Sequence, residues 1–241
     1  MKLAYLIITY QRLPQAYIQM DLVKNYYSEI PELSDIDIYH TYNGGQVINK
    51  LYKEVKLSKT ENGGLHYGAA NLINQGMKDI KNSGVKYDLI ILASSDVMFL
   101  NRELLVNSLK KFQNKEIMLV SSIWFFFQGL SSEFLIIRPE CAKEIFPLKL
   151  NTKKDSNIFY MFYRKVLNAP LIESELNNKF LSRYKKEQLT LFKGREHIWW
   201  YNHRHDNRNQ YYSSHKIESV VKIIKKYKLD KYTDYKKHLG L

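Results

Sequence analysis

The sequence is poor in cysteine and proline and has no long apolar run. Its single cysteine, Cys141, excludes an internal disulfide and is typical of a reducing compartment. The longest apolar runs, such as Leu3–Ile8, are far shorter than the roughly 20 residues that a helix needs to cross a bilayer. That first run is also too short for a secretory leader, and no small-residue cleavage site follows it. We therefore expect a cytoplasmic protein.

The bulk composition is that of a globular protein. Of the 241 residues, 45% are hydrophobic and 25% are charged, which excludes a disordered tail protein and a low-complexity chain. The length suits one large domain or two small ones. The sequence shows no internal repeat and no linker rich in Gly, Ser or Pro.

The net charge of +13 is unevenly distributed along the chain. Residues 1–150 carry 17 Lys and Arg against 15 Asp and Glu, whereas residues 151–241 carry 20 against 9. A neutral front and a basic back suggest that the back meets an anionic partner: nucleic acid, a membrane face or a phosphorylated substrate. A genome biased towards Lys, Asn, Ile and Tyr codons would also raise the total, but it explains the uneven distribution less well.

Short apolar runs alternate with helical patterns over the first hundred residues. The runs Leu3–Thr9 and Asp88–Ala93 predict buried parallel strands, and the alternating Asp35–Tyr42 predicts another. Helices are predicted over 15–28 and 67–82. Further elements are predicted at Val55–Leu57, Arg102–Phe112, Ile117–Ser122, Phe134–Ile137, Pro139–Phe146, 155–168 and Lys216–Tyr227. This order predicts an α/β fold with a mostly parallel central sheet flanked by helices.

Polar clusters follow three of the predicted strands. They are Thr9–Arg12, Asn43–Gln46 and Ser94–Asp96. Ligands of parallel sheets bind outside the carboxyl ends of the strands, so the three clusters would lie along one edge of the sheet, where a ligand site is expected.

Two of the candidate segments have both a functional and a plain structural interpretation. Asp96, at a strand end, could hold Mg²⁺ or Mn²⁺, or could merely cap the following helix. The glycine-containing segment Asn62–Asn71 could offer helix N–H groups to an anion, or could be a tight turn before a helix.

The remaining candidates lie in the second half of the chain. Asp155 could be a general base or a helix cap. His203 and His205 could serve a metal ion or could be solvated loop residues. Cys141 has no obvious partner, and buried packing is its expected role.

Taken in order, these motifs resemble the GT-A glycosyltransferases, especially those of family 2. The segment Leu6–Arg12 is similar to that family's opening strand and turn, and Ile38–Gly45 to its second strand. Asn62–Met77 is similar to the family's "N-x-G-x-x-x-A-R-N-x-G" segment, and Tyr87–Phe99 to the strand that leads into its DxD motif. Gly129–Arg138 and Asp155–Asn168 resemble the acceptor-side strand and helix, so the likeness covers about residues 3–170.

The resemblance implies a GT-A-like, Rossmann-like fold and a metal-assisted, inverting glycosyltransferase. The donor would be a UDP- or GDP-sugar, the metal Mn²⁺ or Mg²⁺, and the acceptor a hydroxyl of a glycan or lipid-linked molecule. Asp155 would be the catalytic base, and Asp96, His203 and His205 would hold the metal. The implied donor-binding residues are Thr9, Gln11, Arg12, Asn43, Asn62, Gly64, His66, Asn71, Ser94, Ser95 and Asp96.

The sequence departs from the family pattern at the two motifs that bind the donor. The DxD motif is reduced to Ser94-Ser95-Asp96, which leaves one carboxylate, and Tyr42-Asn43 replaces the aspartate that binds the base. Three other classes compete with a transferase. They are a sugar-nucleotide synthase, which would need a glycine-rich loop after the first strand, a nucleic-acid binder, and a scaffold built on a degenerate transferase domain.

The resemblance divides the chain into a catalytic core (1–170) and a basic, mostly helical extension (171–241). The extension would complete the site or contact the acceptor or a membrane. The predicted helix Lys216–Tyr227 is amphipathic, so it could rest on an anionic membrane face at the inner side of the cell or could be an ordinary packing helix. No nucleic-acid partner is expected.

Overall fold

The computed structural model describes residues 1–46, 48, 50–95, 97–98, 102–115, 117–124, 129–148, 189–192, 199–200 and 217–241. The strands are β1 (Leu3–Thr9), β2 (Ile36–Tyr42), β3 (Lys56–Lys59), β4 (Leu89–Ser94), β5 (Val97–Met98), β6 (Leu119–Trp124), β7 (Gly129–Ile137), β8 (Leu189–Phe192) and β9 (Trp199–Trp200). The α-helices are α1 (Leu13–Asp21), α2 (Leu65–Asn82), α3 (Arg102–Lys110), α4 (Pro139–Ile145), α5 (Ile217–Lys226) and α6 (Tyr235–Leu239).

Seven of the nine described strands form a mixed sheet in the order β3-β2-β1-β4-β7-β6-β8, and β5 and β9 form a separate two-stranded sheet. The strands β1 to β4 are mutually parallel, whereas β7 runs antiparallel to both β4 and β6. Helices pack on both faces, so the predicted α/β fold with a mostly parallel sheet is confirmed. The carboxyl ends of β1 to β4 therefore lie along one edge of the sheet.

The two faces of β1 belong to two hydrophobic cores. All seven residues of the strand are buried. Leu6 points into the core that includes Ile73 and Met77 of α2, and Tyr5 into the core that includes Ala16 of α1, as the period of two in a strand requires. Helix α2 approaches β1 closely at Gly76, where an added Cβ would lie 2.3 Å from a methyl group of Leu6.

The first predicted helix is only partly regular. Helix α1 ends at Asp21, and the predicted helix continues as a π-helical turn over Leu22–Tyr27. A π-helical turn inserts an extra residue, which periodicity does not reveal. The predicted helix over 155–168 lies outside the described residues.

The described C-terminal elements pack against the N-terminal half of the chain. Strand β8 pairs in parallel with β6 at the edge of the central sheet, and β9 pairs with β5. Helix α5 packs onto α1, where Val220 and Ile224 are fully buried with Ile18 and Leu22.

Of the two interpretations of Lys216–Tyr227, a helix that rests on an anionic membrane face or an ordinary packing helix, the contacts of α5 with α1 support the second, because the buried members of the apolar stripe pack against protein. This helix packs as an ordinary amphipathic helix. Within the described ranges, no helix is both long and apolar enough to cross a membrane.

Candidate active site

The ends of three parallel strands meet at one edge of the sheet. The backbone N–H of Asn43, just after β2, donates to the carbonyl of Thr9 at the end of β1, with an N···O distance of 3.3 Å. The N–H of Ser95, just after β4, donates to the carbonyl of Ile8 at 3.0 Å. The structure thus brings Thr9, Asn43 and Ser95 together where the sequence placed a ligand site.

A buried polar pair lies directly behind this edge. His40 Nε2 and Thr9 Oγ1 are 3.0 Å apart, and both residues are about 1% exposed. Burial lowers the pKa of His40 to about 4, so the imidazole is neutral at pH 7. The sequence analysis did not select His40. The available signal was a histidine on the apolar side of the alternating strand, the same side as Ile38 and Tyr42.

The neutral His40 gives a testable pH dependence of stability. In the unfolded chain the imidazole titrates near 6.5, so between about pH 6.5 and 4 only the unfolded state takes up this proton. The contribution of neutral His40 to stability is therefore complete above about pH 6.5. We expect the free energy of unfolding to fall by about 3 kcal/mol as the pH is lowered from about 6.5 to 4. Urea unfolding at several pH values checks this. In His40→Gln the unfolding free energy should depend less steeply on pH between about pH 6.5 and 4, because glutamine does not titrate. An unchanged pH dependence would show that His40 is not the group responsible.

The side chain of Asn43 ties β2 to the start of α2. Its Nδ2 donates to the carbonyl of Gly68 at 3.0 Å, and Asn43 is 5% exposed. A Cβ at Gly68 would lie 2.9 Å from Asn43 Nδ2 and 3.3 Å from Asn62 Oδ1, so position 68 accepts only glycine without displacing its neighbours. The beginning of α2 is therefore held against the strand ends.

Helix α2 begins after a glycine, which has no side chain to cap the first turn. Its N-cap residue is Gly64, with φ of 93°, a left-handed conformation that favours glycine. The N–H of Gly64 donates to Asn62 Oδ1 at 3.1 Å, which shapes the turn before the helix. Backbone N–H groups at such a helix start attract anions, because the helix dipole adds to their partial positive charge.

The turn after β1 is strained and partly open to solvent. Gln11 has φ of 54° and is exposed, Tyr10 is 39% exposed, and Arg12 is half-buried. A left-handed conformation in a residue other than glycine costs about 1–2 kcal/mol. Such strain is concentrated at functional sites. Tyr10 lies within the cluster Thr9–Arg12 but was not among the predicted donor-binding residues.

Buried polar atoms without a partner accumulate at the same strand ends. Thr41 Oγ1, Asn43 Oδ1 and Thr60 Oγ1 have no hydrogen-bond partner in the described part of the chain. The N–H of Thr60 donates to the carbonyl of Tyr42 at 2.9 Å, which fixes Thr60 at this edge. Leaving such an atom unpaired costs about 1–3 kcal/mol, so a polar ligand that pairs with it gains affinity.

A side chain of helix α1 holds the carboxyl end of β4. The side-chain amide of Gln19, which is 1% exposed, donates to the carbonyl of Ser94 at 3.2 Å. This contact fixes the last residue of the strand that leads to Ser95. A buried glutamine on an apolar helix face carries no recognisable pattern, and the sequence analysis did not select Gln19.

The other predicted site residues are placed elsewhere or lie outside the described residues. Asn71 lines a cleft of about 890 Å³ between α2 and α4, together with Asn74 and Phe146. Asp96, Asp155, His203 and His205 lie outside the described residues, as does the side chain of His66. Within the described ranges, no group of three or more His, Cys, Asp or Glu side chains is arranged to hold a metal ion. Cys141 is buried, and burial raises the pKa of its thiol to about 12.

Comparison with known proteins finds similarity in structure alone. No family model and no curated protein matches the sequence. A mannosyltransferase of Pyrobaculum calidifontis, solved with GDP-mannose and Mn²⁺, has 12% identity and a TM-score of 0.47, over 64% of this chain and 49% of that one. This chain thus spans about half of the mannosyltransferase's length.

Two further solved structures cover more of the chain. A nucleotide-diphospho-sugar transferase of Desulfovibrio desulfuricans has 12% identity and a TM-score of 0.46, over 80% of each chain. The galactosyltransferase LgtC, solved with donor and acceptor sugar analogues, has 8% identity and a TM-score of 0.45, over 80% of this chain and 74% of that one.

Proposed function

We propose that this protein is a glycosyltransferase that moves a sugar from a nucleotide-diphospho-sugar to a hydroxyl of a glycan or lipid-linked acceptor, with inversion and with the help of a metal ion. The observation that carries the proposal is the edge built by Thr9, Asn43 and Ser95. There the start of α2 at Gly64 meets strand ends whose buried oxygens have no partner within the described residues.

The donor would bind across this edge. Thr9, Gln11, Arg12 and Asn43 would line the nucleoside pocket. Asn62, Gly64 and His66 would face the ribose and phosphates, where the first-turn N–H groups of α2 favour negative charge. Tyr10, exposed at the tip of the β1 turn, offers a ring for stacking.

The diphosphate leaves with additional negative charge, and the site must stabilise that charge. Ser94 ends β4, and Ser95 and Asp96 follow it in the sequence; Asp96 has the carboxylate oxygens that Mn²⁺ and Mg²⁺ prefer as ligands. Asp96, with His203 or His205, would hold the metal, which when bound supplies the neutralising positive charge. Gln19 would keep the end of β4 in place while this charge develops.

The acceptor would attack the anomeric carbon from the opposite side of the sugar. Asp155 would take the proton of the acceptor hydroxyl as the new carbon–oxygen bond forms and the bond to the diphosphate breaks. A single displacement of this kind inverts the configuration. Residues 1–170 would form the donor-binding and catalytic core, and residues 171–241 the basic part that meets the acceptor or completes the site.

Nucleotide binding tests the proposal. We expect UDP or GDP with Mn²⁺ to raise the melting temperature, because a ligand that binds only the native state stabilises it. Asp96→Asn should abolish most of that rise, since the metal loses its carboxylate. A matched control is Asp88→Asn, at the opposite end of β4, where the carboxylate accepts from the N–H of Lys2 at 2.7 Å.

In the Asp88→Asn control, the nucleotide and Mn²⁺ should raise the melting temperature by as much as in the parent protein. The absence of any rise in the parent with either nucleotide, combined with tight binding of random oligonucleotides that falls steeply with salt, would overturn the proposal in favour of the nucleic-acid alternative.

A further inference from the structure

The cleft between α2 and α4, which we call the α2–α4 cleft, is large enough to hold a ligand of its own. Its volume is about 890 Å³, and small-molecule sites in proteins span roughly 300–1,000 Å³. Apolar side chains from α2, β4 and the segments beside them form much of its lining. They include Met77, Ile80, Val85, Ile90, Phe146 and Pro147. An apolar group that enters the cleft is therefore removed from water.

Four lysines line the same cleft. Lys78 and Lys81 belong to α2, Lys86 to the segment between α2 and β4, and Lys143 to α4. Among the lining residues, the single acidic side chain is that of Glu61. None of the four lysines has an ion-pair partner within the described residues. Positive charges from three segments of the chain thus meet at one cleft, and their combined potential favours an anionic ligand.

Hydrogen bonds hold the α4 side of the cleft at both ends. Asn74 of α2 donates through Nδ2 to the carbonyl of Leu148 at 3.0 Å and accepts through Oδ1 from the N–H of Leu148 at 2.7 Å. Arg138, just before α4, donates to the carbonyls of Ile117 at 2.7 Å and Phe112 at 2.5 Å. The cleft is therefore preformed, and a ligand need not order its walls.

The hydroxyl of Tyr87, which also lines the cleft, already donates its hydrogen within the protein. It donates to Asp37 Oδ2 at 2.6 Å, and the hydroxyl of Tyr39 lies 2.8 Å from it. Lys56 Nζ donates to the Tyr39 hydroxyl at 2.9 Å, so the Tyr39 hydrogen is directed to Tyr87. Tyr87 therefore has no hydrogen to donate to a ligand, and the lysines are left to match the charge of an anionic head.

The cleft is separate from the proposed donor site. That site lies at the start of α2 and at the carboxyl end of β4, whereas the cleft includes Tyr87 and Ile90, at the amino end of β4. Lys81 lies in the last turn of α2, roughly 25 Å from Gly64 along the helix axis at about 1.5 Å per residue. A ligand held by the lysines of the cleft therefore does not occupy the place of the donor.

We propose that the α2–α4 cleft binds an amphipathic anion, a molecule with a phosphate or carboxylate head and an apolar tail. The tail packs against the apolar lining, and the head is held by the lysines. A purely polar anion would leave the apolar lining in contact with water, and a neutral apolar molecule would leave the lysine charges unmatched. An amphipathic anion satisfies both parts of the lining at once.

Calorimetric titration of the full chain with octyl phosphate tests the proposal. We expect the affinity to rise about three- to fourfold for each CH₂ added along the series from butyl to octyl phosphate, because each buried CH₂ adds to the binding free energy. Inorganic phosphate, which lacks the tail, should bind at least about tenfold more weakly than octyl phosphate. Octanoate has a similar tail, so the tighter binder of octanoate and octyl phosphate identifies the head that the cleft prefers.

Two matched double variants test the role of the lysines. Lys78→Gln with Lys143→Gln removes one lysine from each helix and should weaken the binding of octyl phosphate at least about tenfold, because hydrogen bonds to a charged head are lost. Lys110→Gln with Lys111→Gln removes the same charge from exposed residues at the end of α3, which packs on the other face of the sheet. This control should change the affinity less than about threefold.

Three results would overturn the proposal. They are no binding of either octyl phosphate or octanoate, an affinity that does not rise with the length of the tail, and an equal loss of affinity in the two double variants. The melting shift with UDP or GDP and Mn²⁺, measured on the same variants, reports separately on the proposed transferase site. It should be unchanged in both, so failure at the cleft can be distinguished from failure at the donor site.

Discussion

Replacement of Asp21 by alanine should cost about 3–5 kcal/mol of unfolding free energy, because a buried carboxylate that joins three segments would be removed. Asp21 Oδ1 accepts from the Tyr52 hydroxyl at 2.5 Å, and Oδ2 accepts from Thr233 Oγ1 at 2.7 Å and from His238 at 2.8 Å. Without Asp21, these groups lose their acceptor, and helix α6 loses a polar connection to α1. Urea unfolding at pH 7 measures the change.

The exposed ion pair between Lys2 and Asp35 provides the control. Asp35 is 55% exposed, and Asp35→Ala should cost less than about 1 kcal/mol, as exposed pairs do. An Asp21→Ala effect no larger than that of Asp35→Ala would show that the three contacts contribute nothing measurable. Asp21→Asn keeps the shape and one acceptor oxygen, so its effect should fall between the two.

The pH dependence of the Asp21 contribution has a defined sign. Burial raises the pKa of Asp21, but the hydrogen bonds from His238, Tyr52 and Thr233 outweigh it, and the net pKa lies below the ordinary value. A lowered carboxyl pKa contributes stability that is present above the unfolded-state value near 3.8 and is lost as the pH falls further. The loss of stability from Asp21 occurs at lower pH than the loss from His40, so a series of unfolding measurements against pH can separate the two.

The parts of the fold that depend on local pattern could be predicted from the sequence. Strands β1 and β4 are continuously apolar because both of their faces are buried, and Asn43 and Ser95 follow strand ends that any parallel sheet brings to one edge. The sheet edge that carries the candidate site could therefore be predicted from the sequence. The hydrogen-bond partners of each side chain could not.

The parts that depend on tertiary contact could not be predicted. Gln19, His40 and Asp21 are polar residues within apolar patterns, and only their partners in distant segments make them acceptable in the interior. The amphipathic pattern of helix α5 shows an apolar side but not what covers it, so the sequence left both a packing helix and a membrane contact open; in the structure α1 covers that side.

The largest expected effect on activity is that of Asp155→Asn. On the proposed mechanism, this change removes the base that accepts the acceptor proton, and loss of general-base catalysis typically lowers the rate about 10²- to 10⁴-fold. The amide has nearly the shape of the carboxylate, so donor binding should be preserved. Release of nucleoside diphosphate with acceptor present measures the rate, and the melting shift with UDP or GDP and Mn²⁺ measures donor binding.

The pair of readouts separates a catalytic role from a capping role. If Asp155 only caps a helix, Asp155→Asn should change turnover little, because asparagine is as good an N-cap as aspartate. Asp230→Asn, an exposed carboxylate in the C-terminal segment, is the control for the loss of one negative charge and should leave turnover within about twofold. Turnover in Asp155→Asn equal to that of this control would remove Asp155 from the mechanism while leaving the donor site at the strand ends intact.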